Sequence, residues 1–425
     1  MFRKAVSKMT VVMLITVIIV VAAIGGGLYY YFTQVFKPEK NEILVGVSLA
    51  LTGTYAAPSQ RQLWGFLMWI EDVNAEGGIY VKEYNKKLPV RFVYYDDRGD
   101  SATAVKLYER LITVDNVDFL FGPYGSGITL ATAPVAEKYK KLMLSQMAAA
   151  DTIPAQNYSY VFTTLAVASQ FGLSRKALLD YLTKDLGYGI ETFGVVTSSE
   201  LYPLTVARST IKLLEDAGYT KVLYEEYPKG LTDFSAILTK AKDANPDFLY
   251  FVCYPADSYV ILRQLQAIDY KPKLLMFDDG PNDPAFVQAF GTVAEGILTQ
   301  MSWHWEAPFP LASNFTERFK ARYGEYPRHW SALPYAAGQV LKMAIEKAGT
   351  LDTEKVRSVL LTENFTSTIY GNIKFGDWVN PQGQKLQQIN LNAVNFVLQI
   401  QNGVLKIIAP KQYKSADPIF PYPGW

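Results

Sequence analysis

The stretch Asp118-Phe-Leu-Phe-Gly-Pro-Tyr-Gly-Ser126-Gly127-Ile-Thr-Leu-Ala-Thr-Ala-Pro134 decides how this chain is read. Phe119-Leu120-Phe121 is an apolar run of the length of a buried strand. Gly122, Pro123, Gly125 and Gly127 then break the chain, and helical spacing resumes from Ile128 to Tyr139. A strand, a glycine loop and a helix start leave free backbone N–H groups above the strand end, a place that favours an anionic or carbonyl oxygen. Ser126 adds a hydroxyl at that spot. The plain alternative is a tight strand-to-helix turn that needs glycine for its dihedrals. A phosphate loop is excluded because the Lys-Ser/Thr pair is missing. The dinucleotide fingerprint fails as well, since Gly125-Ser-Gly127 is followed by Ile-Thr-Leu130 with no third glycine.

The same strand–loop–helix unit recurs on both sides of this stretch. Ile43 to Leu49 reads as a buried strand, Thr52–Tyr55 as a loop, and Ser59 to Asn74 as a helix ending at Glu76-Gly77-Gly78. Leu88 to Tyr95 is the next strand, closed by Asp96-Asp97-Arg98-Gly99-Asp100. Ser101 can cap the following helix, and the three aspartates suit capping and holding its connection. Further on, strands are expected at 192–197, 222–224, 248–252 and 274–277, with helices over 169–185, 203–217, 234–244 and 256–268. Such alternation argues for parallel sheets covered by helices. Two sets, roughly 43–160 and 190–298, are too many strands for one comfortable sheet, so two α/β domains are expected. Ligands of open parallel sheets sit beyond the carboxyl ends of the strands. The loops at 52–55, 122–127, 145–150, 198–202, 253–255 and 277–280 should therefore converge on a shared cleft.

Composition narrows the function classes. The 425 residues carry 41 basic and 40 acidic side chains for a net charge of +1, so nucleic acid is not an expected partner. Cys253 is the single cysteine and His304 and His329 the two histidines. No disulfide within the chain and no Cys/His zinc cluster can be built from these, and no cofactor or metal is expected. Aromatic content of 14%, with 29 Tyr, suits stacking in a cleft as well as a core. Trp303, His304 and Trp305 read equally as a stacking platform or as junction packing. At the N-terminus, Arg3, Lys4 and Lys8 precede an uncharged run from Met9 to Phe36, longer than the roughly 20 apolar residues that cross a bilayer. Basic residues before the span place the N-terminus inside, and Tyr29–Phe32 suit the far interface. A retained anchor is the favoured reading and a cleaved signal peptide the alternative, Ala22-Ala23 and Gly25–Gly27 keeping that option open. In either case residues from about Asn41 lie outside the cytoplasm.

Taken in order, several motifs carry a resemblance: Val45-Gly-Val-Ser-Leu-Ala-Leu-Thr-Gly53, Asp72-Val-Asn-Ala-Glu-Gly-Gly-Ile79, Tyr95–Asp100, the Gly122–Gly127 loop, Pro246-Asp-Phe-Leu-Tyr250 and Phe375-Gly-Asp-Trp-Val-Asn-Pro-Gln-Gly383. From about Ile43 to Ile408 the chain resembles the branched-chain amino-acid-binding proteins of ABC importers, the type I periplasmic-binding-protein fold. The resemblance implies an α/β architecture of two parallel-sheet lobes joined by three crossings, near 162–165, 298–301 and 373–377. Residues 1–40 would be the anchor and linker, 41–164 with 299–374 the first lobe, 165–298 with 375–412 the second, and 413–425 a tail. It also implies an α-amino-acid ligand. Its carboxylate would meet the loop of Tyr124, Gly125 and Ser126 and a second loop matching Ala148, Ala149 and Ala150. Its ammonium would meet Asp279 beside Tyr254, with Tyr202 as a further aromatic contact. A threonine of the family's second loop is here Ala149 or Ala150, and Tyr124 adds bulk, so another amino acid, a small amide or an aromatic acid are all candidate ligands. The expected function is non-enzymatic: an extracytoplasmic receptor that closes around a small molecule and feeds an ABC permease. A sensory ectodomain and a hydrolase using Ser126 are the alternatives; the second needs a base, and no histidine falls in a facing loop.

Overall fold

A computed structural model describes residues 8–35 and 39–425, with side chains described for Met13, 15–27 and 39 onward. The Ile43–Leu49 strand is buried along its whole length and pairs in parallel with Val90–Asp96 on one side and Phe119–Phe121 on the other. A strand covered on both faces has no polar face to alternate with, which is why it reads as a continuous apolar run. Met143–Ser145, Val161–Thr163 and Lys385–Asn390 extend the sheet in parallel, and Gly371–Val379 and Asn364–Thr368 complete its eight strands in antiparallel pairing. The second sheet has seven strands. Thr220–Tyr227, Thr192–Ser198, Phe248–Val252, Leu274–Phe277 and Leu298–Met301 run parallel, and the Phe396–Gln401 and Val404–Ala409 hairpin adds on antiparallel. Residues 42–425 are one compact unit made of these two lobes.

Strands expected at 119–121, 248–252 and 274–277 are found at those bounds. The helix after the second strand begins at Ser101, but its cap is Asp100, whose side chain accepts the Thr103 N–H at 2.8 Å. Two crossings lie where expected, after Thr163 and after Met301. The third differs. Gly371–Val379 and Lys385–Asn390 both belong to the first sheet, so the chain changes lobe between Asn390 and Phe396 and not at 373–377. The physical reason is long-range pairing: Ile389 pairs with Thr163, a choice that local alternation does not encode. The tail is built into the second lobe, where buried Tyr422 donates its N–H to Lys273 O at 2.8 Å.

Trp303 is fully buried, edge-on to Phe315, and its indole N–H donates to Ile369 O at 2.8 Å, so that side chain packs the lobe junction. At the N-terminus a helix covers Lys8–Val35, and the described apolar side chains from Met13 to Ile24 are exposed. Among the described residues no helix is long and apolar enough to cross a membrane. Much of the expected span, Met9 to Phe36, lies outside the residues whose side chains are described.

Candidate functional site

Two helices of the first lobe touch almost backbone to backbone. A Cβ on Gly65 would stand 2.1 Å from Ser331 O, and one on Gly338 would stand 2.2 Å from the Trp69 ring. This contact between the Ala56–Ala75 and His329–Ala348 helices fixes where the second one starts, and that start carries His329 and Trp330 into the gap between the lobes. From the same lobe, Gly125 caps the Ser126–Lys138 helix with φ of 92°, a left-handed value that suits glycine. Its N–H donates to Met147 O at 3.1 Å, tying the two loops together.

These loops and their counterparts frame a narrow cleft in which the centre of a water molecule can reach about 40 Å³. The first lobe lines it with Tyr124, Gly125, Met147, Ala149, His329 and Trp330. The second supplies Phe171, Tyr202, Tyr254 and Asp279, and the crossings supply Leu165, Gln300 and Ser302. Six of the residues singled out from sequence therefore meet here: Tyr124, Gly125, Ala149, Tyr202, Tyr254 and Asp279. Ser126, Ala148 and Ala150 are buried but do not line the cavity. The Ser126 hydroxyl oxygen accepts the Ala150 N–H at 3.1 Å, which leaves its own O–H to donate. Ala148 and Ala150 pack with Ala133, Val135 and Ile153 in the core behind the loop. In an extended segment neighbours face opposite ways, so Ala149 alone of the three looks into the cleft.

The second lobe separates two adjacent acids. Asp278 is fully buried, with one oxygen 2.6 Å from Arg175 Nη2 and bonded by the Tyr250 hydroxyl, and the other bonded by the Tyr202 hydroxyl. Arg175, also without exposure, is shared with Asn395 and the Phe171 carbonyl. A buried charge needs such partners. Asp279 instead has amide donors only, Asn282 Nδ2 at 2.7 Å and Gln300 Nε2 at 3.4 Å, both to one oxygen. Burial, reinforced by the charge of Asp278, pushes its pKa up to about 8. Among the described residues it is the one carboxyl lining the cavity, and no lysine or arginine lines it. Burial also raises the phenols of Tyr124, Tyr202 and Tyr254 well above 10, so all three stay neutral. His329 is brought down to about 3 by burial and by neighbouring Arg328, and its buried Nδ1 has no hydrogen-bond partner. Sequence reasoning missed it because no motif surrounds it; the available signal was a polar ring opening an otherwise apolar helix just after Pro327.

The cleft mouth is closed by contacts between lobes. Tyr55 of the first lobe donates its hydroxyl to Glu200 of the second and accepts Lys229 Nζ at 2.7 Å. Its ring lies 5.0 Å from that of Tyr254 and 5.6 Å from that of Tyr124. On another side Arg61 reaches Asp283 across the gap at 3.2 Å. Among the described residues no group of acids, histidines and cysteine is placed to hold a metal ion.

The family model of the periplasmic binding proteins matches residues 42–395. The chain belongs to that family. Among curated relatives, a leucine-, isoleucine-, valine-, threonine- and alanine-binding protein of Pseudomonas aeruginosa is 28% identical over 336 residues, 79% of this chain and 86% of that protein. Among solved structures, a leucine-binding protein from Thermotoga maritima superposes with a TM-score of 0.73 at 25% identity, over 86% of this chain and 98% of the other. An ABC-transporter solute-binding protein from Rhodopseudomonas palustris, in complex with 3,4-dihydroxybenzoic acid, gives 0.70 at 19% identity, over 86% and 95%, and speaks to fold alone.

Proposed function

We propose that this protein is the receptor of an ABC importer, capturing a small amino acid with an apolar side chain between its lobes and presenting it to a membrane permease. One observation carries the reading: a cavity rich in apolar and aromatic side chains in which Asp279 is the one carboxyl and no basic side chain offsets it. An ammonium group placed beside Asp279 would supply the missing charge. The ligand carboxylate would sit at the loops of Gly125 and Ala149, near the start of the Ser126–Lys138 helix and the Ser126 hydroxyl. Ligand contacts to both lobes favour the closed arrangement, which is how capture is coupled to delivery. The leucine-type names of the relatives support this ligand class. The basic Arg3, Lys4 and Lys8 ahead of the uncharged Met9–Phe36 run are what support a retained membrane anchor that keeps the lobes outside the cytoplasm. Carbonate extraction of membranes would test that: an anchored chain stays in the pellet and a cleaved one does not.

A second reading is favoured by the same pKa. At neutral pH an unliganded Asp279 holds its proton, and a protonated carboxyl can donate to the carboxylate of an aromatic acid stacked among Tyr124, Tyr202 and Tyr254. Calorimetric titration with leucine and with benzoate at about pH 6 and about pH 9 separates the two, because the pH lies on either side of the Asp279 transition. An ammonium ligand needs the ionised form, so leucine affinity rises across this interval and Asp279→Asn abolishes the rise. A carboxylate ligand needs the protonated form, so benzoate affinity falls. Leucine binding that is independent of pH and unchanged in Asp279→Asn overturns the amino-acid reading.

A further inference from the structure

The Gln300 amide reaches the ligand cleft with its direction already chosen. Gln300 lies on the Leu298–Met301 strand at the second crossing and lines the cavity beside Asp279. The two ends of an amide are nearly the same size, so the group behind Gln300 decides whether its oxygen or its nitrogen meets the carboxyl. That group is Asn395, buried on the third crossing. Its Nδ2 donates to Gln300 Oε1 at 2.6 Å and to Ser302 Oγ at 3.4 Å.

Asn395 is in turn set by Arg175. A guanidinium only donates, so the atom of Asn395 that meets it must be the oxygen. Arg175 Nη1 donates to Asn395 Oδ1, which leaves Nδ2 facing Gln300. Gln300 answers with Oε1, and its Nε2 is turned to the Tyr202 hydroxyl oxygen and to Asp279 Oδ1, each at 3.4 Å. The Tyr202 hydroxyl proton is already given to Asp278, so its oxygen accepts here. Every bond in this chain has one permitted direction, running from a permanent cation to the carboxyl of the cavity. The reverse arrangement would aim Gln300 Oε1 at Asp279 and favour the protonated acid.

We propose that Asn395 is a positioning residue of the ligand site: oriented by Arg175, it holds the Gln300 amide with its nitrogen toward Asp279 and so favours the ionised carboxylate. The purpose of the device rests on the amino-acid reading, because the ionised form is the one that an ammonium meets. Asn395 and Gln300 stand on different crossings, so the bond that orients the amide also ties two of the three interlobe segments together at the wall of the site. Asp278, Arg175, Tyr202, Cys253 and Tyr254 face Asp279 from the second lobe. Tyr124 and His329 face it from across the cavity. The substitutions below replace none of these.

Titration of the Asp279 carboxyl in the full, ligand-free chain tests the proposal. Carbon-13 in the aspartate side-chain carboxyls gives each a resonance, and that of Asp279 is the one lost in Asp279→Asn. In wild type its midpoint lies at about 8. Gln300→Met removes the donor and raises the midpoint by about half a pH unit or more. Asn395→Leu keeps the size of the side chain, leaves Gln300 Oε1 without its donor and raises the midpoint likewise. Asn395→Ser, still polar beside Arg175 but one bond too short for Gln300, does the same should Asn395→Leu fold poorly. Combined with Gln300→Met, neither Asn395 substitution moves the midpoint further, because its effect passes through Gln300. A midpoint unmoved in Gln300→Met, one unmoved in both Asn395→Leu and Asn395→Ser, or a rise of undiminished size in the Gln300→Met background would overturn the assignment. No ligand is present, so those outcomes leave the amino-acid reading standing, whereas leucine binding that is independent of pH would end that reading and leave this orientation in place.

Discussion

Asp278 and Asp279 are neighbours in opposite circumstances. Asp278 is neutralised by Arg175 and two phenols, so it builds the wall; Asp279 faces the cavity with amide donors alone. Arg175→Met leaves Asp278 buried without its cation, and we expect a loss of about 3–5 kcal/mol in urea unfolding. Adding Asp278→Asn removes the stranded charge while keeping an acceptor for the tyrosines, so the double variant should recover part of that loss. Asp279 acts through pH. Its folded pKa of about 8 lies above the ordinary 3.8 of the unfolded chain, so between those values the unfolded state has lost a proton that the folded state keeps. Stability from this group therefore falls as pH rises from about 4 to about 8 and levels off above. Melting temperatures of wild type and Asp279→Asn across this interval check it: the variant's curve should be flatter, and parallel curves would show that Asp279 is not the group responsible. Both aspartates stand out in the sequence as a strand-end pair, but which one faces the ligand does not. That is decided by Arg175, which lies 103 positions away in the chain from Asp278.

At the scale of elements, the sequence is most legible where local chemistry decides the structure. Phe248–Val252 and Leu274–Phe277 are buried strands flanked by turn residues, and nothing distant is needed to see them. The last crossing is different, because the Lys385–Asn390 strand joins the first sheet through a pairing with Val161–Thr163 that sequence periodicity cannot select. Period-two alternation could have shown that Ala149 faces away from Ala148 and Ala150, but only once the segment was known to be extended. His329 and Trp330 were hidden for a further reason: their position depends on how closely two helices approach at Gly65 and Gly338. Gly338→Ala should force those helices apart, costing about 1–3 kcal/mol in denaturant unfolding. It should also weaken ligand binding, although Gly338 does not line the cavity. Destabilisation with unaltered affinity would show that the helix start is held by something else.

For the whole molecule, function depends on two lobes whose mouth contacts differ in burial. Lys229 is half exposed as it bridges Glu200 at 3.0 Å, and such pairs contribute about 0–1 kcal/mol and are weakened by salt. Arg61 is 12% exposed and binds Asp283 across the gap as well as Glu325 within its own lobe. Ligand affinity should therefore drop more in Arg61→Ala than in Lys229→Ala, and only the smaller Lys229 effect should disappear in high salt. The reverse order, measured by calorimetry, would place the closing interaction at the Tyr55–Glu200 side. The most direct test of the account is the distance between the lobes, read by electron-spin distance measurements from labels at Ala102→Cys and Thr232→Cys, exposed positions near opposite sides of the mouth. Saturating leucine should replace a longer or broader distribution by one short, narrow distance, and Asp279→Ala should prevent the change. Distributions that are identical with and without leucine and with and without benzoate would contradict capture by closure.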